Sequence, residues 1–150
     1  MDDRQKQSPW RDRQELKWTK KTFADGYMVL PHNLFRCVGK LGLRPTQQTV
    51  LFHLLDFWFE GPDTNVSVSK GELAKRIGMD KRQVQRHLRS LQKAGLIEAW
   101  YPDRPGLHAK IYSFEGLTKK LENLSEIYQR EKKYSKHRED SAIRLASKYV

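Results

Sequence analysis

Residues 69–97 read SKGELAKRIGMDKRQVQRHLRSLQKAGLI, and their punctuation lays down two helices about a tight turn. Ser69 and Glu72 have the spacing of a capping box, in which a hydroxyl and a carboxylate three residues on satisfy free N–H groups of the first turn. Leu73, Ala74 and Ile77 then point inward, and Gly78 stops the helix. Asp80 is a good cap for a second helix running to about Ala94, with Val84, Leu88 and Leu91 as its apolar positions and Gly95 as its stop. Such a pair cannot bury both apolar faces alone, so the preceding helix must supply a third wall. One face of the second helix is left for solvent or a ligand.

With Val84 at the centre of the inward face and about 100° per residue, Leu88 and Leu91 fall within about 40° of it. Arg82, Arg86, Arg89 and Lys93 fall on the far side, with Gln85 on its flank. Arginine grips guanine O6 and N7 with two hydrogen bonds, and glutamine pairs with adenine N6 and N7. The ordinary alternative is a solvated basic face. The turn, the capped helix before it and the β-rich segments after it favour base contact.

Working outward, Thr46 to Glu60 predicts a helix with Val50, Leu51, Leu54, Leu55 and Trp58 on one face, widened by Phe52, Phe57 and Phe59. Apolar nearly all round, it is expected to be the most buried helix. Val66–Val68 alternates like a short strand. Beyond Gly95, residues 96–101 and 108–114 read as a hairpin around the turn-forming 102–107. Upstream, Tyr27–Leu30 has the pattern of a short strand, and Pro31 stands where a helix opens, with Leu34, Phe35, Val38 and Leu41 at helical spacing. Residues 1–22 read as a basic arm without regular structure, in which Trp10 and Trp18 either await a partner or dock on the domain. Residues 115–150 predict a helix. Leu117, Leu121, Leu124 and Tyr128 recur at spacings of four and three, as in a two-helix seam.

The charge points to a polyanion. Lys and Arg number 29 against 18 Asp and Glu, a formal +11 in 150 residues with a pI near 9.8. A membrane surface is the rival polyanion, but no apolar run approaches the roughly 20 residues that span a bilayer, and the start lacks a signal-peptide core. Cys37 stands alone among Leu34, Phe35 and Val38, which suits a buried small residue and excludes an intramolecular disulfide. A cytoplasmic protein fits. His32, His53, His87, His108 and His137 are scattered, with no metal-ligand spacing, phosphate loop or nucleophile elbow near them. The expectation is no enzyme, no metal and no cofactor.

Residues 69–97 look like a bacterial winged helix-turn-helix domain, and residues about 27–115 resemble modules common in plasmid and phage replication proteins and small regulators. The ending Leu91-Gln-Lys-Ala-Gly-Leu-Ile97 is similar to the exit from a recognition helix into a wing. The resemblance implies a mainly α fold, a winged helix-turn-helix with a three-helix core and a small antiparallel β wing. A basic N-terminal arm (1–22) and a helical tail (116–150) flank a domain at 23–115. It implies duplex DNA as partner, with Arg82, Gln83, Gln85, Arg86, Arg89 and Lys93 on the recognition helix. Ser69, Lys70 and Lys81 would meet phosphates, as would Lys110, with Arg104 at the wing tip. The expected assembly is a homodimer through Leu117, Leu121, Leu124 and Tyr128. Repression on a mobile element is the first expectation. A replication initiator or accessory factor is the second, and a protein-binding winged helix the third.

Overall fold

The computed structural model describes residues 9–61, 63–103, 106 and 109–147, the side chains at 142, 143, 145 and 146 excepted. In chain order the elements are α1 (Pro9–Trp18), α2 (Lys20–Ala24), α3 (His32–Arg36), α4 (Pro45–Glu60), β1 (Val66–Val68), α5 (Lys70–Ile77), α6 (Lys81–Lys93), β2 (Glu98–Trp100), β3 (Lys110–Ser113) and α7 (Glu115–Ser147). The fold is mainly helical with one small antiparallel sheet, as the residues predict.

The decisive stretch forms the two helices its punctuation requires, with the Ser69 half of the expected capping box in place. Ser69 Oγ accepts the Glu72 N–H at 3.1 Å, and Asp80 Oδ1 accepts the Arg82 N–H at 3.3 Å. Gly78, at φ 74°, takes the left-handed conformation that ends α5 and turns the chain into α6. α4 is the third wall: Val50, Leu51, Leu54 and Leu55 are buried against Leu73 and Ala74 of α5 and Val84, Leu88 and Leu91 of α6. Burying each large aliphatic side chain contributes about 1.5–3 kcal/mol, so three of them fix the rotation of α6. Across the outside of the same wall, Arg76 of α5 pairs with Asp56 at 2.8 Å and lies over the Phe57 ring.

The sheet order is β1-β3-β2, antiparallel throughout, with Val66 opposite Tyr112 and Ala99 opposite the same Tyr112. Tyr112, on the central strand, is almost wholly buried. Two expectations fail at the other end of the domain. Residues 27–30 form no strand: Met28 and Leu30 turn toward the core and Tyr27 and Val29 outward, so the alternation is real. Among the described residues, however, no strand pairs with them. The helix expected from Pro31 is also shorter, with Pro31 as its cap. α3 gives way at Cys37 to turns, burying Leu34, Cys37 and Leu41 but leaving Phe35 half out, its ring 5.2 Å from Phe52.

The N-terminal segment, read as an arm without regular structure, holds a helix over Pro9–Trp18. Its proline opens it, and Arg11 and Glu15 pair one turn apart. α1 buries nothing of its own, but Trp10 sits 6.0 Å from Phe23 and 5.6 Å from Tyr27, whose rings stack at 4.4 Å.

The core also runs past residue 115, the expected boundary. Leu117 and Leu121 are buried in it and Leu124 packs against it. Asn33 donates to the Leu121 carbonyl at 3.0 Å, Arg36 to Tyr128 Oη at 2.9 Å, and Lys40 approaches Glu131 at 3.5 Å. The residues expected to form a dimer seam are therefore engaged within their own chain. A leucine stripe at helical spacing serves either purpose, and here α3 and the domain's own core reach it first. Beyond Glu131 every described side chain of α7 is exposed.

Candidate nucleic-acid interface

The outer face of α6 carries the site. Arg82, Gln85, Arg86 and Arg89 line one open groove, with Asp80 at its N-terminal end. The three arginines are exposed. Among the described residues no side chain pairs with their guanidinium groups, unlike Arg11, Arg36 and Arg76 elsewhere in the chain. Three unpaired cations on one face repel one another, and a bound polyanion relieves that repulsion. Five fixed N–H donors on each suit paired acceptors such as phosphate oxygens or a guanine edge.

The tight turn brings further expected residues to the same end. Lys70, at the first position of α5, donates to Gln85 Oε1 at 3.2 Å. Lys81 folds over Gly71, where an added Cβ would lie 3.1 Å from Lys81 Cε. A glycine at 71 leaves room for that ammonium beside the start of α5. Ser69 spends its hydroxyl oxygen on its own helix cap. Gln83 is exposed on the other flank of α6, and Lys93 lies at its C-terminal end.

Lys110 sits half-buried at the base of β3, its ammonium 5.0 Å from the centre of the Tyr101 ring. Arg104 lies outside the described residues. Trp100 and Tyr101, both exposed beside Lys110, escape the sequence reading because alternation assigns them only to a strand. Exposure of two aromatics at the base of a wing needs the fold. The Lys70–Gln85 bond escapes it too, since no helical period links residues on different helices.

Among the described residues, no three His, Cys, Asp or Glu side chains gather as a metal would require, and no helix is long and apolar enough to cross a membrane. A family described as a helix-turn-helix domain matches residues 41–97, which run from the turn before α4 to the exit from α6. No curated protein matches the chain at a significant level. Among solved structures, the chain is similar to S. aureus MepR in a MepR–DNA complex, at 17% identity and a TM-score of 0.44, over 77% of this chain and 88% of that one. The capped helix pair, the α4 wall and the antiparallel hairpin after α6 give the centre of this chain the architecture of a winged helix-turn-helix, and its residues 41–97 match the helix-turn-helix family.

Proposed function

We propose that this chain binds double-stranded DNA in a sequence-specific manner, with α6 laid in the major groove, and that it regulates transcription without catalysing a reaction. The observation that carries this reading is the outer face of α6, three exposed arginines, without side-chain partners among the described residues, flanking one glutamine. A protein-docking face would expose apolar or mixed residues instead. Lys70 and Lys81 supply phosphate contacts at the N-terminal end of the helix pair, and Lys110 and Arg104 from the wing. Lys93 serves the far end of α6. Repression by occupying a promoter on a plasmid, phage or other mobile element, in the cytoplasm, is the biological setting that the sequence resemblance supports.

The test is a gel-shift titration against a selected site and a scrambled duplex of the same composition. Arg86→Ala is expected to weaken binding to the selected site by roughly 1–3 kcal/mol and to blur one position of it. Equal losses on both duplexes would remove Arg86 from base reading.

A homodimer completes the proposal, because two linked recognition helices reach half-sites about 34–36 Å apart. With Leu117 and Leu121 buried in the domain, the contact falls to the exposed part of α7 beyond Glu131. Sedimentation of the intact chain at micromolar concentration, alone and with its site, is expected to show two copies per duplex. A monomer that binds one copy per site would contradict the dimer.

A further inference from the structure

Lys70 and Gln85 lie on different helices, yet the turn sets them side by side. The Lys70 ammonium donates to Gln85 Oε1 at 3.2 Å, and both side chains are half-buried where α5 meets α6. An ammonium has donors and no acceptor, so the amide can meet it only through its oxygen. This fixes the sense of the amide. Its oxygen is held on Lys70, and its NH2 group is left for the groove that Gln85 lines with Arg82, Arg86 and Arg89.

That orientation bears on which base the groove accepts. In the major groove adenine presents an acceptor at N7 beside a donor at N6, so a bidentate reader must offer a donor and an acceptor together. Gln85 alone could do so. Held by Lys70, its oxygen has one of its two lone pairs taken and is turned to the ammonium, so the pair presents mainly donors, the amide NH2 and the remaining ammonium N–H groups. Guanine presents two neighbouring acceptors, N7 and O6, whereas cytosine presents a donor and thymine one acceptor next to a methyl group. The edge that best matches such a donor-rich pair is that of guanine.

We infer that Lys70 sets the base preference of Gln85, making a side chain otherwise suited to adenine a reader of guanine. The inference rests on the proposed docking of α6 in the major groove. Lys70 acts here as a positioning residue, through the amide it holds.

Enrichment of bound duplexes from a random library tests it, using the full chain and its Gln85→Ala, Lys70→Arg and Lys70→Met variants. The position whose preference flattens in Gln85→Ala is the one that Gln85 reads. There the intact chain is expected to favour guanine over adenine by about tenfold, within the range of one good bidentate contact. Lys70→Arg, which still donates, keeps that preference. Lys70→Met frees the amide oxygen and moves the preference toward adenine. Adenine selected by the intact chain at that position overturns the inference, whether or not Lys70→Met folds. So does guanine retained by a folded Lys70→Met, or a Gln85→Ala profile with no flattened position. In each of these cases DNA binding still stands. No enriched sequence from the intact chain would instead overturn the DNA reading itself.

Discussion

Gly116→Ala is expected to destabilise the whole domain by at least about 1–3 kcal/mol, the cost of forcing a methyl group into a packed site. A Cβ at 116 would fall on the Gly95 carbonyl oxygen, with the Gly95 carbonyl carbon 3.1 Å away. The obstruction is backbone, so no side-chain rotation relieves it. The same contact joins α6 to α7. Leu117 N–H donates to the Leu96 carbonyl at 3.0 Å, and Lys120 donates to the carbonyl of Ala94. Moving α7 away would break both bonds and uncover Leu117 and Leu121. Gly39→Ala is the matched control, because nothing lies within 4 Å of a Cβ there, and its effect should stay within about 0.5 kcal/mol. Urea denaturation of the two variants checks this. Equal midpoints would show that α7 is not wedged against the exit from α6.

The second large effect is alkaline. Burial, with a smaller contribution from Tyr101, pushes the Tyr112 hydroxyl from the ordinary 10 up to about 12. The folded chain therefore keeps a proton that the unfolded chain releases between pH 10 and 12. In that window the unfolded state binds fewer protons, and stability falls as pH rises. At about 1.4 kcal/mol per pH unit, two units amount to roughly 3 kcal/mol, fully present below pH 10 and lost above pH 12. Tyr112→Phe should remove this step from a series of denaturation curves across that range. The same alkaline loss in Tyr112→Phe as in the unaltered chain would assign it to other groups.

What could be read from the residues was local. The pair α5–α6 was legible because caps, stops and apolar period all lie within residues 69–97, each fixed by neighbours a few positions away. The arginine face of α6 followed from the same period, since whatever lies opposite Val84, Leu88 and Leu91 must face away from the core. Features that depend on distant partners were not legible. Residues 27–30 alternate as a strand does, but a strand needs a distant partner to pair with, and among the described residues neither open edge of the β1-β3-β2 sheet takes them up. The Leu117–Leu124 stripe fits a second chain as well as its own core, and only the position of α3 and the core beneath it decides between them. Nothing beside Gly116 in the sequence marks it, because what stands against it is the distant Gly95 carbonyl. Lys70 read as a phosphate contact, and its hold on Gln85 depends on the angle of the turn at Gly78. The helix at Pro9–Trp18 had local signals, a proline and an Arg11–Glu15 pair, which its charge density outweighed.

The central claim is that the face opposite the core of α6 meets the phosphates and bases of a duplex. Equilibrium binding of the intact chain to a labelled duplex, followed between about 50 and 200 mM salt, tests it most directly. Each phosphate neutralised contributes about −0.9 to the slope of log affinity against log salt, so six contacts give a slope near −5. The account predicts a steep slope of this order, made shallower when Arg82, Arg86 and Arg89 are replaced together by alanine. A flat slope, or a triple variant that binds as the intact chain does, would contradict it.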